Sequence, residues 1–178
     1  IHNVSRYIAV ATSAMREAQN AKQTLDKIYK KTKLKIQIIS GDIEAAYILQ
    51  LFKNNLNIKN ENYLFIDVGG GSTEINLLSN GKIIASESFK IGTVRLINNF
   101  DNNMLNDLSD WINRKTIKIK NIIVIGTGGN ANKILKISNK NPYEIIKLNY
   151  LSDLFTKVKN YTINERIIKL KLNPDRAD

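Results

Sequence analysis

The chain has 178 residues, 43% of them hydrophobic, with 27 Lys and Arg against 16 Asp and Glu for a net charge of +11. That length and apolar share predict a globular protein with a sizeable core, in one domain or one and a half. The lack of cysteine excludes disulfides, thiolate zinc sites and cysteine nucleophiles. No apolar run approaches the roughly 20 residues that span a bilayer, and the opening residues lack the layout of a secretion signal.

A cytoplasmic location without a membrane partner is the expectation from these features. Lys, Asn and Ile are enriched together along the whole chain, and no compact basic arm stands out. Specific nucleic-acid binding is therefore not expected, while a smaller polyanion remains compatible with the charge.

Tyr7-Ile8-Ala9-Val10-Ala11 reads as a strand already under way close to Ile1, so the chain is expected to be a fragment. Thr12 and Ser13 are placed to cap a helix through about Lys31, Leu34 to Ile39 reads as the next strand, and a second helix runs from Asp42 to about Lys53. A polar linker is expected over Asn54 to Asn62. A three-stranded meander follows at Tyr63 to Val68, Glu74 to Leu78 and Lys82 to Phe89, with Asn80-Gly81 as a hairpin turn. Beyond it the pattern predicts a helix over about Asn103 to Arg114, a short buried strand at Asn121 to Ile125 and a helix from Asn130 to Ile137. A last helical region covers Leu151 to Asn160 and continues over Asn164 to Lys169. Strands and helices in alternation predict α/β layers.

Four segments carry candidate chemistry. In Ile38-Ile39-Ser40-Gly41-Asp42-Ile43-Glu44 a turn joins strand to helix, so Glu44 falls in the first helical turn near the carboxyl end of a strand, where ligands gather in α/β sheets. The helix dipole keeps such a carboxylate ionised, which suits a base that orients an attacking water and equally suits an ordinary first-turn acid. The second segment, Asp67-Val68-Gly69-Gly70-Gly71-Ser72-Thr73-Glu74, joins anion-binding backbone N–H groups and two hydroxyls to two acids. Those acids suit Mg²⁺, which takes few protein carboxylates and keeps much of its water. The apolar flanks, the hydroxyls and the bracketing acids together separate the segment from a plain hairpin turn.

The third segment, Gly126-Thr127-Gly128-Gly129, follows a strand and opens a helix, a second place for a phosphate. It also fits a dinucleotide fingerprint, but the acid required about twenty residues on is only Glu144, beside Pro142. In the fourth, Lys90 and Arg95 flank a Gly92-Thr93 turn, and either cation is within reach of a phosphate. Serine-hydrolase triads and P-loop sites lack support: the single histidine is His2, and neither G-x-S-x-G nor the P-loop pattern occurs.

Taken in order, five segments and a last glycine run carry a resemblance: Val10 to Asn20 (VATSAMREAQN), Ile39 to Ala45, Asp67 to Glu74, Ile91 to Arg95, the run at Gly126, and Pro174-Asp175-Arg176-Ala177-Asp178. They resemble the exopolyphosphatase and guanosine pentaphosphate phosphohydrolase (Ppx/GppA) family over nearly the whole chain. The resemblance implies the actin-like and sugar-kinase-like (ribonuclease H-like) two-domain α/β fold, here as a fragment. Residues 1–60 would be the second half of domain I and residues 61–178 most of domain II.

It also implies that Glu44 activates water for attack on a terminal phosphoryl group, and that Asp67 and Glu74 bind or order Mg²⁺ or another divalent cation. Gly69, Gly70, Gly71, Ser72 and Thr73 would bind phosphate, joined by Gly126, Thr127, Gly128, Gly129 and Arg95. The implied partner is a polyanionic substrate, polyphosphate or pppGpp, and a homodimer is in keeping with the family. This sequence departs from the pattern in three ways. The N-terminal Asp-x-Gly-Ser-Asn-Ser type phosphate loop is absent, so activity is expected of the full-length protein and not of this chain alone. Ala46 stands where the family has arginine and Gly129 where it has threonine. Two other functions draw on the same loops, a catalytically silent sensor of polyphosphate or nucleotide and an ATP-dependent kinase of the same superfamily.

Overall fold

The computed structural model describes residues 6–52, 56, 59–98 and 101–174. The expected linker lies partly outside these residues, and His2 and the Asp175 to Asp178 motif lie wholly outside. The chain divides into two compact units, residues 1–129 and 130–178.

In the first unit, β1 (Ala9–Ala11) and β2 (Ile36–Ile38) pair in parallel, joined by α1 (Ser13–Glu17) and α2 (Ala21–Thr32). A helical crossover is what a parallel pair requires. After α3 (Gly41–Phe52) come β3 (Asn62–Val68), β4 (Thr73–Ser79) and β5 (Lys82–Phe89), an antiparallel meander. Its hairpin turns at Asn80 (φ 50°) and Gly81 (φ 75°), the paired positive φ values of a tight type I′ turn. Then α4 (Thr93–Asn98) and α5 (Asn102–Thr116) lead to β6 (Ile122–Thr127), which joins β3 in parallel and completes the order β5-β4-β3-β6.

Strand alternation gives this sheet two apolar faces. Leu64, Ile75, Leu77 and Trp111 form one buried cluster with Phe89, Leu108 and Ile112 against it, which seats α5 on that face. On the opposite face Tyr63, Phe65 and Leu78 pack with Phe52 of α3 and with Ile125. Asp67 and Glu74 share the period-2 row of Phe65 and Asn76, so they lie on the α3 face, beyond its apolar end. One face thus holds both core and acids, separated only by position along the strands.

The second unit holds the rest of α6 (Gly128–Ile137), α7 (Leu148–Asn160) and α8 (Ile163–Leu170). Leu154 and Leu170 are buried, and Arg166 Nε donates to Val158 O at 3.0 Å, linking α8 to α7. Among the described residues no helix is long and apolar enough to cross a membrane.

Four boundaries differ from the sequence reading. The single helix expected to run to Lys31 is two, broken at Ala18 (ψ 125°), because Arg16 and Glu17 at the end of α1 are held by distant partners, Ile39 and Arg95. A helix, α4, begins where a Gly-Thr turn was expected, since its first amides find acceptors in the glycine loop. The segment at Gly126 is not a loop: β6 runs through Thr127 and α6 starts at Gly128. Finally, α8 does not continue α7. Tyr161 is extended, and Thr162 and Glu165 form a reciprocal capping box that starts a new helix.

Candidate active site

Ser40 starts α3: its Oγ accepts from Ile43 N at 3.4 Å, and its carbonyl accepts from Glu44 N at 3.1 Å. This fixes Glu44 in the first turn, partly buried, with Oε2 buried and accepting no hydrogen bond among the described residues. Burial, first, and then the charge of Glu74 push the Glu44 carboxyl above its ordinary value, with Asp67 adding to the rise. The Arg16 guanidinium, 4.0 Å from Oε2, and the Thr12 hydroxyl pull the other way. Arg16 Nη1 is itself held by Ile39 O at 2.8 Å.

Asp67 and Glu74 are directly opposite each other in the β3–β4 register. Side chains in such a pair stand about 5 Å apart at Cβ. Glu74 is buried, and its Oε1 accepts from Ser72 Oγ at 2.5 Å and from Ser88 Oγ at 3.1 Å. The Asp67 carboxylate lies against the start of α6: a Cβ added at Gly128 would stand 2.5 Å from Asp67 Oδ1. Three acids from three elements thus act on one another across one face of the sheet. Among the described residues no group of three His, Cys, Asp or Glu side chains is close enough to share an ion. The donors present, two opposed carboxylates with no nitrogen or sulfur, are of the kind a hard, largely hydrated divalent cation takes.

In the glycine loop, Gly69 O accepts from Thr93 N at 3.0 Å, and Gly70 O accepts from Val94 N at 2.9 Å and Arg95 N at 3.2 Å. Gly71 O accepts from Arg95 Nε at 2.8 Å, and Ser72 O from Gly69 N at 2.9 Å. All four carbonyls are therefore engaged. Among the described residues none of the loop's bonds uses the N–H groups of Gly70, Gly71 or Ser72. Gly92 makes this docking feasible, since a Cβ there would fall 2.5 Å from the carbonyl carbons of Gly70 and Gly71.

The other residues named from sequence are placed as follows. The hydroxyl of Ser72 donates to Glu74, and that of Thr73 to Ile91 O at 2.6 Å, so both protons are spent inside the protein. Arg95 spends Nε on Gly71 and Nη2 on Glu17 Oε2 at 2.9 Å, bracing α1 against the loop. Thr127, opposite Asp67 in the β3–β6 register, has a buried Oγ1 with no hydrogen-bond partner among the described residues. Gly126 pairs with Ile66, Gly128 has φ 84°, and Gly129 continues the first turn of α6. Sequence reasoning gave Ser13 only a helix-capping role, which the structure does not bear out since Thr12 is the N-cap of α1 and makes no side-chain cap bond, and gave no role to Arg16 or Ser88. For Ser88 the signal was present, because the meander's register sets it opposite Glu74.

The Ppx/GppA phosphatase family matches residues 1–178, and the chain belongs to that family. A bifunctional 3-dehydroquinate synthase/phosphatase of Fusobacterium nucleatum is 32% identical over 199 residues, which cover 96% of this chain and 29% of that protein. Exopolyphosphatase 1 of Mycobacterium tuberculosis is 30% identical over 69 residues, 39% of this chain and 20% of that protein. Among solved structures, an exopolyphosphatase from Cytophaga hutchinsonii superposes with a TM-score of 0.78 at 22% identity, covering 96% of this chain and 62% of that one. The Aquifex aeolicus Ppx/GppA family member superposes at 0.70 with 24% identity, over 98% of this chain and 62% of that one. The chain therefore spans less than a third of these curated relatives and about two thirds of these structures. The expected resemblance is borne out, and the α/β fold that it implied is the one these family structures share.

Proposed function

We propose that the full-length protein releases the terminal phosphate of a polyanionic phosphoanhydride, polyphosphate or pppGpp, with Glu44 as the base. One observation carries this reading: Glu44 Oε2 is a buried carboxylate oxygen without a hydrogen bond among the described residues, set among the acids that raise its proton affinity. A carboxylate so placed takes a proton more readily than one in water, as general-base work near neutral pH requires. In the proposed step a water oxygen bonds to the terminal phosphorus as the bridging P–O bond breaks. The water's proton passes to Glu44, and the shortened chain leaves with the electron pair.

Phosphoryl transfer needs positioning and charge stabilisation more than covalent chemistry. The saturated carbonyls of residues 69–72 support a role for the loop's amides as donors to the phosphoryl oxygens. Asp67 and Glu74 would hold Mg²⁺ or a similar cation, which when bound neutralises phosphoryl charge. Arg95, Ser72 and Thr73 would serve by bracing the loop and its acids, and Thr127 and the start of α6 would contact a further phosphate. The net charge of +11 favours a polyanion. Residues 1–60 and 61–178 would belong to two domains that meet at this site in the full-length protein.

The test is phosphate release by the full-length protein with Mg²⁺, offered long-chain polyphosphate, pppGpp and ATP in parallel. Release from polyphosphate or pppGpp is the expected outcome and identifies the substrate. Tight binding without release would replace the hydrolase with a sensor, and transfer from ATP to an acceptor would replace it with a kinase.

A further inference from the structure

We infer that Ser13 is a further substrate-contacting residue, whose hydroxyl donates to an oxygen of the phosphoryl group held over the Gly69–Ser72 loop. The inference rests on the phosphohydrolase reading and adds to it a donor from α1. Ser13 is 6% exposed, and its Oγ is buried with no hydrogen-bond partner among the described residues. Buried hydroxyls nearly always find a partner, because leaving one unmade costs the full desolvation of the group. Among the described residues the buried side-chain polar atoms in this condition are Ser13 Oγ, Glu44 Oε2 and Thr127 Oγ1. Each lies by the loop that joins β3 to β4 or by the acids that bracket it. Glu44 interacts with Asp67 and Glu74, Thr127 pairs with Asp67, and Ser13 Oγ stands 3.2 Å from where a Cβ on Gly71 would lie.

The loop's own hydroxyls cannot fill the role, since Ser72 and Thr73 have already donated to Glu74 and Ile91. Among the described residues Ser13 is a buried hydroxyl beside the loop whose proton is unspent. It approaches Gly71, one of the residues whose amides no acceptor among the described residues takes, so an anion bound to that amide comes within the reach of Oγ. Hydrogen bonds between a neutral donor and a charged phosphoryl oxygen are the stronger kind.

The experiment uses the full-length protein and its Ser13→Ala variant, measured for turnover of polyphosphate, affinity for tripolyphosphate with Mg²⁺, and unfolding temperature without ligand. The expected result is a loss of about 10- to 100-fold in kcat/KM, with weaker tripolyphosphate binding. The ligand-free unfolding temperature should be unchanged or raised, because an unpaired buried hydroxyl has been removed. That combination separates a ligand contact from a structural one. Unchanged kcat/KM and affinity overturn the inference, as does a loss accompanied by a lowered unfolding temperature. If the wild-type protein binds tripolyphosphate but releases no phosphate, the hydrolase reading fails alone and the affinity ratio still decides Ser13. A wild type that neither binds nor hydrolyses overturns both.

Discussion

At Gly69–Gly71 the chain leaves the sheet as a loop whose glycines take no left-handed conformation, whereas at Gly126–Gly129 strand β6 passes straight into α6 and Gly128, at φ 84°, is left-handed. The first segment is crowded from outside, by Gly92 and the amides of α4 on one side and Ser13 on the other. The second is constrained from within, by backbone conformation and by the Asp67 carboxylate resting on Gly128. Similar runs of glycine thus answer to different physics. In one, glycine leaves room for the side chains of Ser13 and Val94; in the other it supplies a dihedral angle and leaves room for the Asp67 carboxylate.

That contrast can be broken at its tightest point. Gly92→Ala puts a methyl group into the Gly70 and Gly71 carbonyls, a clash with backbone that no rotamer relieves. We expect a loss of roughly 3 kcal/mol in urea unfolding, together with loss of turnover in the full-length protein. Wild-type stability would show that α4 does not dock on the loop as described. Gly128→Ala tests the other segment: left-handed backbone costs an alanine about 1–2 kcal/mol, and the displaced Asp67 should weaken the response of activity to Mg²⁺. An effect on stability without any change in metal response would detach Asp67 from that junction.

Arg95→Met keeps the aliphatic stem and removes the bonds to Gly71 O and Glu17. A cost of about 1 kcal/mol is expected, with more in KM than in stability if the brace shapes the loop. Next in size is the pH dependence of Glu44→Gln. A carboxyl whose folded value lies above its unfolded value stabilises the fold fully below the unfolded value, and that contribution is lost as pH rises through the folded one. Glutamine avoids the loss, so without divalent cations the variant's unfolding temperature should gain on the wild type from pH 4 to pH 7. A constant difference across that range would contradict the raised carboxyl. Smallest of all, Gly41→Ala meets nothing within 4 Å, and its effect should stay within about 0.5 kcal/mol.

Much of the site was legible because it follows from strand alternation. Once Tyr63–Val68 and the strand after the glycines are read as neighbours across the loop, Asp67 and Glu74 fall on one face. That Glu44 joins them depends on how α3 packs over that face, which local spacing does not encode; the residues alone marked Glu44 as a candidate base, and the family resemblance alone tied it to the other two acids. The hydroxyls of Ser72 and Thr73 read as ligand donors because their acceptors, Glu74 and Ile91, are chosen by register and by the path of the chain after β5. Helix α4 was hidden for the same reason, since the carbonyls that receive its first amides lie 24 residues earlier. Breaks at Ala18 and Tyr161 carry no glycine or proline, so tertiary anchoring and a capping box decided them.

The central claim, that Glu44 takes the proton from an attacking water, is tested most directly by Glu44→Gln in the full-length protein with Mg²⁺ and polyphosphate. The account predicts that kcat falls by roughly 10² to 10⁴ while tripolyphosphate still binds. Turnover equal to wild type, in a variant that folds and binds as wild type does, would contradict it.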